Sequence, residues 1–310
     1  MIEVKNLRMA YGAKEVLKGI SFEIKKGRTV GLLGVNGAGK STTMNLLTGY
    51  MTPTEGEIHI CQKDMIKHPR EAKKYIGYLP EIPPLYKDMK VEEYLLFAAD
   101  IKGIKDKKQE VERLLRLLDM EDKRYEFIKR LSKGYGQRVG FAQALIGNPP
   151  VLILDEPLVG LDPSEAKKIR ELIRNLKEDH AIIISSHVLS EIEELCNEIL
   201  MLKNGELVLD NSTIQAKRKN SSKQYCFTIK GEKDKIEEAL TKFEGLHDVR
   251  YIKETEPGVY EYVGVSKNAR DIRDAIFSYL VSKKFRVYGI SRVESSLEDV
   301  FLEANGKEEQ

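Results

Sequence analysis

Two apolar patterns alternate along the chain. Short unbroken runs, Thr29-Val30-Gly31-Leu32-Leu33, Val151-Leu152-Ile153-Leu154 and Ala181-Ile182-Ile183-Ile184, suit strands covered on both faces. Residues 2–11, 20–25, 56–60 and 74–79 carry further β character, with a glycine turn at Gly12 after the first. The segment from Thr43 to Thr48 reads as a helix closed by Gly49. After Ile82-Pro83-Pro84-Leu85 the character changes. Val91 to Lys102 and Lys107 to Asp119 read as helices. In the second, Val111, Leu114, Leu115 and Leu118 form one stripe at helical spacing. A third helix runs from about Tyr135 to Ile146, before Gly147-Asn148-Pro149-Pro150. A helical insert, about residues 86–147, thus interrupts an α/β frame. Asp162-Pro163-Ser164-Glu165 opens another helix, with Asp162 as cap, Pro163 in the first turn and Glu165 at the capping-box position. A helix from Leu189 to Asn197 and a hairpin around Asn204-Gly205 close this domain near residue 210.

Residues 211–222 are polar and read as a short helix running into a linker. A second domain, 223–310, follows. Tyr225–Ile229 alternates as a strand, and Lys235 to Phe243 is helical with Ile236, Leu240 and Phe243 on one side. His247 to Lys253 and Val259 to Val265 read as strands around Pro257-Gly258. Ile272 to Val281 is a helix and Phe285 to Ser291 a last strand. The order βαββαβ predicts a small α+β ferredoxin-like sandwich, with a terminal helix through Val300 and Phe301. This domain carries no nucleotide loop, metal cluster or basic groove, so its expected role is accessory: bare stabilisation, or holding two protomers together.

Composition narrows the field. The 51 basic and 49 acidic residues nearly cancel, so no global basic field invites nucleic acid. No run of about 18 apolar residues is present to span a membrane. Met1-Ile2-Glu3-Val4-Lys5 lacks the apolar region of a signal peptide. Cys61, Cys196 and Cys226 have neither metal-site nor disulfide-framework spacing, and are expected as small core hydrophobes in a reducing compartment.

The chemistry centres on Gly34-Val35-Asn36-Gly37-Ala38-Gly39-Lys40-Ser41-Thr42, placed between an apolar strand and a helix. That context makes the pattern a phosphate loop rather than an accidental match in a glycine-containing turn. Gly34, Gly37 and Gly39 let the backbone curl so that N–H groups converge, and the next helix adds its free N-terminus. Lys40 is positioned to reach the β- and γ-phosphates, and Ser41 to offer a hydroxyl to Mg²⁺. Asp155 and Glu156 end a buried strand. Asp155 suits a contact to that Mg²⁺, and Glu156, pointing the other way, can polarise a water. Ser132 and Gly134, in Leu131-Ser132-Lys133-Gly134-Tyr135-Gly136-Gln137-Arg138, open a helix and make a second anion site. An insert carrying that site does not readily fold back onto the first. A head-to-tail pair, in which each protomer completes the other's site, solves the problem. Tyr11 by itself reads as a half-buried strand aromatic or as a ring stacking on a base, and His187 as a surface residue or as a phosphate ligand.

In their order these motifs resemble the nucleotide-binding subunit of an ATP-binding cassette (ABC) transporter. Gly34–Thr42 is similar to Walker A, Val151–Glu156 to Walker B, Leu131–Tyr135 to the signature loop, Leu161-Asp162 to the D-loop, His187 to the switch histidine and Tyr11 to the adenine-stacking aromatic. The resemblance covers about residues 1–215. It implies a P-loop ABC ATPase fold: a mixed-sheet core, an N-terminal antiparallel β subdomain and the helical insert. Residues 223–310, and the ending Ser296-Leu297-Glu298-Asp299-Val300-Phe301-Leu302-Glu303, resemble the daunorubicin-resistance/CcmA-type branch, whose members pair with separate membrane subunits.

The resemblance implies a Mg²⁺-ATP hydrolase that dimerises on ATP as an exporter's motor. Gly34–Thr42 binds phosphates, Tyr11 stacks adenine, Ser41 and Asp155 hold Mg²⁺, and Glu156 is the general base. Lys40 and His187 support the γ-phosphate, His187 relaying contact to the partner's D-loop at Asp162, while Ser132 and Gly134 act in trans. The expected partners are a second such subunit and a permease, reached through the surface near Glu81–Tyr86, with the chain peripheral on the cytoplasmic face of the cell membrane. Two departures stand out. Glu81 replaces the usual glutamine, either adding a metal ligand or lowering ATP affinity. The signature reads Leu-Ser-Lys-Gly-Tyr instead of Leu-Ser-Gly-Gly-Gln, keeping Ser132 and Gly134. Rival readings are a soluble cassette protein acting on ribosomes or DNA, and a non-hydrolysing sensor. The first lacks a second cassette, a long coiled coil and a basic block here, and the second conflicts with Glu156.

Overall fold

The computed structural model describes residues 1–209, 224–267 and 271–293. The chain divides into two compact units, Met1–Asn211 and Ser212–Gln310.

In the first unit, β1 (Ile2–Tyr11), β2 (Lys14–Ile24), β4 (Glu55–Ile60) and β5 (Lys63–Asp64) form an antiparallel sheet in the order β2-β1-β4-β5. The other sheet has six strands, β10-β9-β3-β8-β7-β6. Its parallel members are β3 (Thr29–Leu33), β6 (Ile76–Leu79), β7 (Val151–Asp155), β8 (Ala181–Ser186) and β9 (Glu198–Lys203). The edge strand β10 (Glu206–Leu209) runs antiparallel to β9. Every residue of β3, β7 and β8 is buried, which is why these segments read as unbroken apolar runs. One core joins the sheets: Ile2, Leu7, Leu17 and Ile58 from the first, Val30, Leu32, Ile153 and Ile183 from the second. Met44, Leu46 and Leu47 of α1 (Lys40–Leu47) belong to the same core, so the helix after the glycine loop is fixed by packing on both sheets.

A short helix, α2 (Pro69–Ala72), precedes β6. The insert consists of α3 (Val91–Ile101), α4 (Lys107–Leu117) and α5 (Lys133–Leu145). Val111, Leu114, Leu115 and Leu118 are buried, as their spacing predicts. The helix α5 starts before Tyr135 because Ser132 caps it, accepting from the Tyr135 N–H at 3.4 Å. Asp162 caps α6 (Pro163–Leu176), accepting from the N–H groups of Ser164 and Glu165 at 2.9 and 3.0 Å. Glu165, expected in a capping box, turns instead to the buried Arg138, which donates to it at 2.6 Å. An almost fully buried guanidinium has the stronger claim on a carboxylate than a solvated N–H. The helix α7 (Leu189–Leu195) stops short of Asn197, because Asn197 is taken by β3: its side-chain oxygen accepts from Thr29 N at 3.1 Å and its own N–H donates to Thr29 O at 2.8 Å. The three cysteines are half-buried, and Cys61 packs against the core of the first unit.

The second unit runs β11 (Gln224–Lys230), α8 (Lys233–Lys242), β12 (Leu246–Glu256), β13 (Val259–Ser266), α9 (Arg273–Ser282), β14 (Arg286–Val293). Its sheet is β12-β13-β11-β14, antiparallel throughout. Phe227, Ile229 and Tyr262 of the sheet share a core with Ile236, Leu240, Ile276 and Leu280 of the helices. The polar run 211–222, the expected helix through Val300 and Phe301 and the ending Ser296–Glu303 lie outside the described residues. Among the described residues no helix is long and apolar enough to cross a membrane.

Candidate active site

The glycine loop connects β3 to α1. Gly37 and Gly39 have φ of 83° and 109°, left-handed values that side-chain-bearing residues avoid. Gly39 occupies the N-cap of α1 and makes no side-chain cap bond, so the first N–H groups of the helix have no capping acceptor. Lys40 is the first helical residue and is 8% exposed. Its ammonium donates to the carbonyls of Gly34 (2.6 Å) and Val35 (3.3 Å), folding the cation into the ring of the loop. Burial pushes its pKa down, while the nearby Glu156 and Asp155 carboxylates act in the opposite direction. Thr43 donates to Gly39 O at 2.9 Å and ties the loop to the helix.

Asp155 ends β7 opposite Ser185 of β8. It is buried, and the Ser185 hydroxyl donates to its Oδ1. Its pKa is raised, first by burial and also by the neighbouring Glu81; the Ser185 hydrogen bond and Lys40 pull it down. Glu156 adopts φ of 47°, a conformation costing roughly 1–3 kcal/mol in a residue with a side chain. This reverses the chain at the strand end, so consecutive carboxylates diverge. His187 Nδ1 lies 2.9 Å from Glu156 Oε2.

These groups surround a cleft of about 740 Å³. Asn36, Gly37, Gly39, Lys40, Ser41, Thr42, Glu81, Glu156 and His187 line it. Gly34, Ala38 and Asp155 lie buried beneath, and Val35 is exposed. Tyr11 is not among the lining residues; its ring is half exposed and its hydroxyl donates to Met51 Sδ at 3.2 Å. Instead Lys14, Glu15, Val16 and Lys18 of β2 and Asn204 of the β9–β10 turn reach the cleft. No sequence motif marks these residues. Only strand pairing brings β2 here, with Lys18 N donating to Gly205 O at 2.9 Å and Gly205 N to Ala38 O in the loop at 3.3 Å.

Ser132, Gly134 and Asp162 do not line the cleft. They gather at the N-termini of α5 and α6: a methyl group at Gly134 would lie 3.1 Å from Glu165 Cγ, and the Lys133 side chain lies against Gly160. Arg138 fixes this arrangement, donating to Glu165 of α6 and to the carbonyls of Leu118 (3.0 Å) and Asp119 (3.3 Å) after α4.

The donor set tests the expectation of Mg²⁺. Ser41, Asp155 and Glu81 offer a hydroxyl and carboxylates, the hard oxygens that Mg²⁺ prefers, and buried Asp155 is an anion in need of a cation. Among the described residues no three His, Cys, Asp or Glu side chains form a cage. That suits an ion which takes few protein ligands and fills its shell with water and phosphate oxygens. The residues fit the ion.

The family model described as ABC transporter matches residues 17–159. The uncharacterized ABC transporter ATP-binding protein YhcH of Bacillus subtilis is 33% identical over 99% of this chain and 96% of its own length. The chain belongs to the ABC transporter ATP-binding proteins. The bacitracin transport ATP-binding protein BcrA of Bacillus licheniformis is 31% identical over 99% of this chain and 97% of its own. Among solved structures, the cassette MJ0796, in a dimeric post-hydrolysis state bound to ADP and Pi, superposes with a TM-score of 0.62 at 25% identity, covering 68% of this chain and 97% of that one. This ABC protein is an ATPase with the P-loop cassette fold, and its glycine loop and Glu156 line the cleft just described.

Proposed function

We propose that this ATPase drives a separate membrane permease, as an exporter's motor on the cytoplasmic face of the membrane, by closing head to tail on ATP with a second copy. The observation that carries the reading is the separation of functional groups. Lys40, Ser41, Glu81, Glu156 and His187 share one cleft, whereas Ser132, Gly134 and Asp162 lie on another part of the same unit. In this reading one protomer's Ser132 and Gly134 cover the γ-phosphate held by the other's Gly34–Thr42, and Asp162 meets the partner's His187. The dimeric MJ0796 cassette supports a second nucleotide-binding subunit, and BcrA's name supports transport.

Each side chain then has a task. Lys40 and the α1 N-terminus neutralise phosphate charge. Ser41 and Asp155, with Glu81, are the residues that would hold Mg²⁺, and the ion would supply positive charge against the phosphates. Glu156 accepts the proton of the attacking water, and His187 orients Glu156 and supports the γ-phosphate. Tyr11 is proposed to turn onto the adenine when nucleotide binds. The second unit is read as a ferredoxin-like accessory domain of the daunorubicin-resistance type that keeps two protomers near one another, raising their effective concentration.

Glu156→Gln tests the assignment. The amide keeps the shape but cannot take the proton, so hydrolysis should fall by roughly 10²–10⁴. ATP binding should persist, and an ATP-bound dimer should become stable in sedimentation. Wild-type turnover by this variant would remove Glu156 from the role of base.

A further inference from the structure

Ser185 is completely buried, carries no charge and belongs to none of the motifs above. It nevertheless touches both acidic residues of the site, one through its carboxylate and the other through its backbone N–H. Its hydroxyl donates to Asp155 Oδ1. The same oxygen accepts the backbone N–H of Glu156 at 3.0 Å, and the Ser185 carbonyl lies 3.2 Å from that N–H. A hydroxyl has one proton and two lone pairs, so this donor–acceptor pair is within its capacity. The N–H it holds is that of the residue in the left-handed conformation, where the chain turns and the carboxylates part. The next residue, Ser186, is equally buried. It donates to Glu191 of α7 at 2.8 Å and accepts from Val188 N at 3.0 Å, bracketing His187 from both sides. His187 in turn meets Glu156 at 2.9 Å.

We propose that Ser185 is a positioning residue for hydrolysis: through one hydroxyl it fixes the Asp155 carboxylate and the turn that aims Glu156 at the attacking water. The proposal rests on the reading of Glu156 as base and Asp155 as metal ligand. Ser185 is buried and does not line the cleft; it acts through these two residues. Its effect should therefore fall on turnover and on the Mg²⁺-dependent part of binding, and not on the phosphate loop, which Ser185 does not contact. A displacement of about 1 Å in a catalytic group costs on the order of 100-fold, which sets the scale.

The test compares Ser185→Ala, Ser185→Cys and Ser185→Thr in the full chain. Cysteine keeps the size but is a weak donor and acceptor, and threonine keeps the hydroxyl. Ala and Cys should lower kcat by roughly 10- to 100-fold. ATP affinity measured by calorimetry in EDTA should stay within about two-fold, and Thr should restore most of the turnover. In a Glu156→Gln background, where turnover does not interfere, the gain in ATP affinity on adding Mg²⁺ should shrink when Ser185→Ala is introduced. Wild-type kcat in Ser185→Ala would overturn the proposal. So would an equal loss of affinity with and without Mg²⁺ that Thr does not restore, since that is the behaviour of a residue that only packs. Should Glu156→Gln itself turn over normally, the underlying assignment of the base fails; an inactive Glu156→Gln beside a fully active Ser185→Ala overturns the role of Ser185 alone.

Discussion

The N-termini of α1 and α5 both carry glycines at the helix start, Gly39 before the first residue of α1 and Gly134 within the first turn of α5, and end as different objects. The first helix is left uncapped by any side chain, entered through Gly39 in a left-handed conformation, with the buried Lys40 cation folded into the loop beside it. The second is capped by its own Ser132, whose oxygen already takes the Tyr135 N–H, and it stands exposed. The first keeps N–H groups and charge ready for a ligand in a cleft. The second satisfies itself locally, packs beside Glu165 of α6 and does not line the cleft. A helix N-terminus becomes a binding site through what surrounds it, and in the proposed head-to-tail pair a second protomer's nucleotide would complete the surroundings of α5.

The comparison predicts unequal sensitivity. Lys40→Ala removes the buried cation from the finished site. Hydrogen bonds to charged groups contribute about 1.5–3 kcal/mol, so ATP affinity should fall on the order of 10- to 100-fold. Calorimetry with Mg²⁺ present measures it, and an unchanged affinity would mean that the loop does not cradle the triphosphate.

Much of the first site was legible because its chemistry is contiguous. Gly34–Thr42 carries its strand, its left-handed glycines and its cation in one stretch, and the apolar run before Asp155 announces a buried strand end. What stayed hidden is long-range. Nothing near Lys14, Lys18 or Asn204 says that β2 and the β9–β10 turn close the cleft, because strand order is fixed by pairing and not by local pattern. Tyr11 is assigned by motif position, yet the fold leaves its ring outside the cleft lining, on Met51. Glu165 has the spacing of a capping box, but a buried Arg138 from another helix outbids the local N–H for its carboxylate. The element order of the second unit was readable from its alternation of strand and helix periods, whereas the pairing of its first strand β11 with its last, β14, is long-range and has no local signal.

A smaller effect is expected at Glu81, which lines the cleft from an exposed turn. Glu81→Gln removes an anion beside Asp155 that now raises the pKa of Asp155. If Glu81 lies at the edge of the Mg²⁺ site, the Mg²⁺ titration of ATPase activity should shift by a few-fold, in keeping with the modest strength of partly exposed charge pairs. Superimposable titrations would assign the residue a mechanical role only.

The central claim, that a working site is made of α1 from one protomer and α5 from another, is tested most directly by mixing two disabled proteins. Lys40→Ala lacks the first half-site and keeps the second. Gly134→Asp keeps the first and places a like charge against phosphate at the second, where Glu165 already stands close. Each variant alone should be nearly inactive. On mixing, heterodimers contain one composite site with an intact Lys40 and an intact Gly134, and ATPase activity should rise clearly above the sum of the two separate proteins. A mixture that shows only that sum, in a sample where sedimentation demonstrates heterodimers, would contradict the account.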